Sequence, residues 1–120
     1  MIPNLSEKDA EELAGIICRG SKRKGLDPNV ALESIQKYPE IFLGTYLRWK
    51  VQKGYGLEEI EEFLSDLVSL SLRLGKDFGK VVDYTKRIND YNSVRDFINH
   101  IDEKTHENYD IEKIIRNYRG

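Results

Sequence analysis

The stretch LEEIEEFLSDLVSLSLRL, residues 57–74, decides the fold class. Leu57, Ile60, Phe63, Leu64, Leu67, Val68 and Leu74 recur at helical spacing, and Glu58, Glu59, Glu62 and Asp66 fall on the opposite side. This is the 3.6-residue period of an amphipathic helix. A shorter alternation, Val68, Leu70, Leu72 and Leu74, has the period of a strand, but the longer window outweighs it. Gly75 supplies a stop.

Upstream, the pattern is again helical. Ser6 followed by Asp9 reads as a loose capping box before Ala10, Leu13, Ala14 and Ile17, with Gly20 at the C′ position. A polar loop is expected from Gly20 to Gly25. Asp27-Pro28 opens a second helix as N-cap and first-turn proline, and Pro39 keeps it short by restricting Tyr38. A third helix is expected over residues 40–53, closed by Gly54, with Leu43, Leu47 and Val51 as its apolar row.

Downstream, Asp77 is placed to cap a helix carrying Phe78, Val81, Val82, Thr85 and Ile88 inward. Ser93 is placed to cap one with Val94, Phe97, Ile98 and Ile101, and Asp110 to cap a last one with Ile111, Ile114, Ile115 and Tyr118. Residues 102–108 are polar and read as a loop. The final helix belongs either to the bundle or to a linker. No hairpin signal or internal repeat is found. The expectation is an all-α fold, one compact bundle of about six or seven short helices over the 120 residues.

Composition narrows the function classes. One cysteine, Cys18, gives no disulfide framework and no cysteine zinc site; in an apolar helix it reads as a small core residue. No apolar run approaches the ~18 residues of a membrane span, and residues 1–12 lack the layout of a signal peptide. A monomeric protein of the reducing cytoplasm, without a membrane partner, is expected. The net charge of −2 conceals a pattern: residues 1–12 carry −3, 13–56 +5, 57–72 −5, 73–89 +3 and 90–120 −2. A local basic surface is compatible with that total.

Enzyme templates fail. There is no His-Glu-x-x-His, no Gly-x-Ser-x-Gly and no Gly-x-Gly-x-x-Gly. Gly15–Lys22 resembles a P-loop with its last two residues exchanged, but it lies in a helix with no strand before it, so no phosphate nest forms. His100 and His106 stand near Asp102, Glu103 and Glu107 without fixed geometry and read as surface residues, not metal ligands. The acidic pairs Glu58–Glu59 and Glu61–Glu62 read as a solvated face, not as paired catalytic acids. No catalytic or metal residue is assigned.

Three segments carry a binding signal. Arg19, Lys22, Arg23 and Lys24 place four cations in six residues beside glycines. Tyr46, Arg48, Trp49, Lys50 and Lys53 interleave aromatics with cations, a combination that suits a nucleobase and its phosphate. Lys80, Tyr84 and Arg87 fall on one helix face opposite the apolar one, a track for single-stranded nucleic acid.

The order of these motifs resembles the small helix-bundle domain that follows the prim-pol catalytic domain in replication proteins of archaeal plasmids and some phages. The similarity runs over residues 5–101: Gly20-Ser21-Lys22-Arg23-Lys24 as the basic turn, Phe42-Leu43-Gly44-Thr45-Tyr46-Leu47-Arg48 through Lys53-Gly54, and Gly56-Leu57-Glu58-Glu59-Ile60. Gly75-Lys76-Asp77, Lys80 and Val81-Val82-Asp83-Tyr84-Thr85-Lys86-Arg87 follow, then Ser93-Val94-Arg95-Asp96-Phe97. The chain departs from the family in an extra helix over 26–39, in Lys24 where histidine is frequent, and in the order Tyr84-Thr85.

The resemblance implies a domain without enzymatic activity of its own. It would bind ATP or another nucleoside triphosphate, with Mg²⁺, and single-stranded template DNA, helping the catalytic domain of the same protein start a primer. Arg19, Lys22, Arg23, Lys24, Tyr46, Arg48 and Trp49 would meet the nucleotide, and Lys50, Lys53, Lys80, Tyr84 and Arg87 the DNA. The alternative is a helical protein-interaction module, such as a small subunit of a CRISPR effector complex.

Overall fold

A computed structural model describes residues 5–88, 90–107 and 110–118. Among these residues the fold is all-α, with seven α-helices and no strand. They are α1 (Glu7–Arg23), α2 (Pro28–Lys37), α3 (Pro39–Leu47), α4 (Leu57–Leu74), α5 (Phe78–Thr85), α6 (Tyr91–Thr105) and α7 (Ile111–Asn117). A π-helical turn, Arg48–Gln52, prolongs α3, and a 3-10 turn, Gly75–Asp77, precedes α5. The chain divides into two compact units, Met1–Ser69 and Leu70–Gly120.

In the first unit, Ser6 caps α1 by accepting from the Asp9 N–H at 3.1 Å, and Asp27 caps α2 by accepting from Asn29 N–H at 2.9 Å, with Pro28 in the first turn. The basic segment is not a loop. α1 continues through Gly20 and Ser21, both buried, and stops at Gly25, whose φ of +72° requires the left-handed region. Gly20 stays helical because the space beside it belongs to α4. A Cβ there would overlap Ser65 Oγ and stand 3.2 Å from Ser65 Cβ.

The apolar row expected for the third helix is also displaced. Ile41, Phe42, Tyr46 and Trp49 are buried, whereas Leu43 and Leu47 are half-buried and Val51 is 72% exposed. Phe42, Tyr46 and Trp49 also keep helical spacing, and this aromatic row, adjacent to the aliphatic one, is the row that packing buries. Trp49 is fully buried, 4.2 Å from Phe63 and 5.4 Å from Tyr55 between ring centroids. Such a side chain buries on the order of 200 Å², worth about 5 kcal/mol of gross transfer free energy. Along α4, Ile60, Phe63, Leu64, Leu67 and Val68 are buried as expected, while Leu57, at the helix start, is exposed.

In the second unit, α7 packs on both α5 and α6 and so belongs to the packed structure, not to a linker. Asp110 caps it through Glu112 N–H at 2.8 Å, and Ile111 and Ile114 are buried. Tyr118, just past its end, meets the Phe97 ring at 4.9 Å. Two caps differ from expectation. Asp77 makes no side-chain cap and sits in the 3-10 turn. Asp90 caps α6, accepting from Ser93 N–H at 2.7 Å and from the Ser93 hydroxyl at 2.9 Å; its two oxygens outcompete the single hydroxyl. The stretch 102–105, expected as loop, completes α6; Asn108 of that stretch lies outside the described residues.

The Gly20–Ser65 contact yields a direct test. Gly20→Ala gains about 1 kcal/mol of helix propensity. It loses about 1–3 kcal/mol to overpacking, because the Ser65 hydroxyl donating to Glu61 C=O at 2.6 Å has to move. The expected outcome is a lower Tm for Gly20→Ala, recovered at least in part when Ser65→Ala removes the overlapping oxygen; equal effects in both backgrounds contradict the contact.

Candidate phosphate-binding face

The end of α1 gathers cations by helical geometry. Arg19, Lys22 and Arg23 stand at i, i+3 and i+4, hence on one face, and Lys24 occupies the C-cap. Positive charge there complements the carbonyl end of the helix. The acids of α4 are not all solvated. Glu61 accepts from Arg19 Nε at 3.0 Å and lies 3.1 Å from an Arg23 guanidinium nitrogen, with its own side chain only 14% exposed. Lys24 pairs with Asp66. Among the described residues, Lys22 has no ion pair.

Two carboxylates therefore serve four cations, and a surplus of two positive charges faces solvent. The pairing orders these side chains without locking them. The Arg19 and Arg23 side chains are 62% and 53% exposed, and such surface pairs are worth about 0–1 kcal/mol. A phosphate group, with more acceptor oxygens and a bidentate match to guanidinium, can displace a carboxylate from that clasp.

The second segment divides. Trp49 and Tyr46 are wholly buried and present no ring face on which a base could stack. Lys50 is committed to a polar cluster: its ammonium is 2.9 Å from Asp9, 2.8 Å from Glu12 and 3.2 Å from the Tyr46 hydroxyl, which itself donates to Glu12 at 2.9 Å. The hydrogen bonds from Lys50 hold the Asp9 and Glu12 carboxyls below their ordinary values, and those from Lys50 to Glu12 and Asp9 raise Lys50 above its own. Burial raises the Tyr46 phenol. This cluster ties α1 to the α3 segment. Arg48 is half-buried, and burial lowers its guanidinium. Lys53 is exposed and, among the described residues, without an ion pair.

The third segment also divides. Tyr84 is half-buried, stacked on Phe97 at 4.4 Å and edge-on to Tyr118 at 5.6 Å, with its hydroxyl donating to Tyr118 C=O at 3.4 Å. Its ring is taken by the protein's own aromatics. Lys80 is exposed but neighbours Glu112 at 3.5 Å and Asp77 at 4.0 Å. Arg87 lies in the turn after α5, exposed and, among the described residues, without an ion pair.

Of the twelve expected residues, only Arg19, Lys22, Arg23 and Lys24 are brought together as an exposed set. Glu61 and Asp66, which order that set, were read as a solvated face; the pairing crosses about forty residues of sequence, beyond any local periodicity. Among the described residues, no group of three or more His, Cys, Asp or Glu is arranged to hold a metal, and no helix is long and apolar enough to cross a membrane.

The Lys50 cluster generates a pH test. Because the folded Asp9 and Glu12 lie below their unfolded values, their contribution is present above the ordinary carboxylate range and lost as pH falls through the folded values. Lys50 has the opposite sign, so its contribution holds until pH rises past the ordinary lysine value. Between about pH 5 and pH 2 the Tm of the wild type should fall more steeply than that of Lys50→Met, which lacks the pairing cation; parallel pH profiles contradict the cluster.

No family model matches the chain, and no curated protein or solved structure matches it either.

Proposed function

We propose that this chain is a non-catalytic accessory domain of a primase-polymerase that holds phosphate groups, those of single-stranded template DNA and of a nucleoside triphosphate such as ATP, for a catalytic domain in the same protein. The observation that supports this most is the cation face of α1, where four exposed positive side chains meet two carboxylates. The order of motifs along the chain adds to it. The phosphate half of the expected site fits these residues. The base-stacking half does not, since Tyr46 and Trp49 are core and Tyr84 packs within its own unit. Lys50 likewise leaves the DNA set, bound by Asp9 and Glu12.

The proposed set is therefore Arg19, Lys22, Arg23 and Lys24, with Lys53 and Arg87 as further exposed cations. Recognition then runs through phosphates and is tolerant of sequence. Mg²⁺ would arrive with the triphosphate. The reducing cytoplasm suits the single thiol of Cys18.

A second reading, a helical protein-interaction module, is favoured by one observation. Val51 and Leu57, on either side of Gly54-Tyr55-Gly56, are 72% and 44% exposed. Such a module has no reason to bind triphosphate.

Fluorescence anisotropy with a labelled oligothymidine, at two salt concentrations and in competition with ATP–Mg²⁺, separates the two. Lys22→Ala combined with Arg23→Ala should weaken DNA binding by about tenfold and reduce the slope of log K against log salt by about 1.4. Lys37→Ala, an exposed cation on α2, should change little. ATP should compete for the same face. Unchanged DNA affinity in the double variant, with no competition by ATP, transfers the assignment to the interaction module.

A further inference from the structure

The segment from α3 into the π turn is apolar on its outer side as well as on its inner one. Ile41, Phe42, Tyr46 and Trp49 fill the interior. Leu43, Leu47 and Val51, at i, i+4 and i+8, run as a second row outside it. A helix that is apolar all round belongs between two layers. Here the interior covers only one side: Leu43 and Leu47 keep part of their surface in water, and Val51 is 72% exposed. Glu40, in the first turn, is the one charged residue of α3 itself. The first turn of α4 is the contrast, since it meets solvent with Glu58 and Glu59.

The row has a notch and a charged edge. A Cβ placed on Gly44, between Leu43 and Leu47 in sequence, would meet nothing within 4 Å, so another chain can come close to the backbone there. Arg48 stands one turn beyond Gly44. It is half-buried, its Nε is shut off from water without a hydrogen-bond partner, and it has no ion pair among the described residues. A buried donor left unanswered is costly, and a carboxylate matches guanidinium in both charge and geometry.

These features specify the chemistry of an occupant. From Leu43 to Val51 the row is about 12 Å long at 1.5 Å per residue, two helical turns. An amphipathic helix laid along it answers with apolar residues one turn apart, and an acid beside those residues answers Arg48. A second copy of this chain answers less well. A two-fold axis near Leu47 sets each Arg48 beside its own symmetry mate, and neither gains an acceptor. An anionic lipid surface would meet Glu40, exposed at the head of the row.

We propose that Leu43, Leu47 and Val51, with Arg48 at their edge, form a docking site for an acidic amphipathic helix of a partner protein. This goes beyond the phosphate-binding reading and shares no residue with it, so each stands or falls separately.

The probe is a fluorescein-labelled synthetic helix of about 20 residues, long enough to be helical in water, with Leu at heptad positions a and d and Glu at e and g. Its control carries Lys at e and g. In ¹H–¹⁵N NMR of the full chain, the Glu-flanked helix should shift the Leu43, Gly44, Leu47, Arg48 and Val51 signals saturably. By anisotropy it should bind about tenfold more tightly than the Lys-flanked one, because opposite charge answers Arg48 and like charge opposes it. Val51→Asp, at a position too exposed to threaten the fold, should weaken binding about tenfold or more by setting a carboxylate in the apolar row. Arg48→Gln should weaken the Glu-flanked helix several-fold and leave the Lys-flanked one no weaker. Lys22→Ala with Arg23→Ala should leave binding intact. Absence of saturable shifts, shifts confined to α1, or binding indifferent to Val51→Asp overturns the proposal. So does a monomer–dimer equilibrium in sedimentation that Val51→Asp abolishes, which makes a second copy the occupant. Phosphatidylglycerol vesicles that bind through Val51 when the helix does not bind overturn it in favour of a lipid surface.

Discussion

The close approach of α1 to α4 at Gly20 and Ser65 is the constraint on which the first unit depends. Only a residue without Cβ lets the two helices meet there, and the meeting sets what flanks it. With the backbones this near, Glu61 reaches both Arg19 and Arg23, and Asp66 reaches Lys24. A bulkier residue at position 20 would therefore disturb packing and surface charge together.

A consequence is that charge in this molecule is arranged by interdigitation. The sequence segregates its acids and bases into blocks, and folding brings the blocks against one another. An acidic helix laid beside a basic one neutralises part of the potential that a linear count suggests. It also orders long, flexible side chains whose rotamer freedom would otherwise oppose binding. Partial neutralisation and pre-ordering act in opposite directions on affinity for an anion, and the surface exposure of the arginines decides between them, because exposed ion pairs exchange at little cost.

How much of this was legible in the sequence follows the range of the interaction involved. The helices and most of their caps were, because periodicity and capping are local: Ser6, Asp27 and Asp110 cap as their positions suggest. The burial of Ile60, Phe63 and Leu64 was equally plain. Gly20 was misread because a glycine in a helix looks like a stop unless its neighbour across the seam is known. The buried face of the third helix was misread because Phe42, Tyr46 and Trp49 and Leu43, Leu47 and Val51 form adjacent rows of the same period, and tertiary packing, not periodicity, selects the first. Tyr84 looked exposed on its helix, but α6 and Tyr118 cover it.

Glu61 offers the sharpest single measurement, since it is the acid that two arginines share. Its neutral isostere, Glu61→Gln, keeps the shape of the seam while removing the competing charge. If the α1 cations form a phosphate-binding face held ready by this carboxylate, Glu61→Gln should bind single-stranded DNA several-fold more tightly by anisotropy, with a steeper salt dependence, because two guanidinium groups are released to phosphate. Unchanged or weaker DNA binding in a folded Glu61→Gln variant would contradict it, and would leave the cations of α1 as partners of α4 alone.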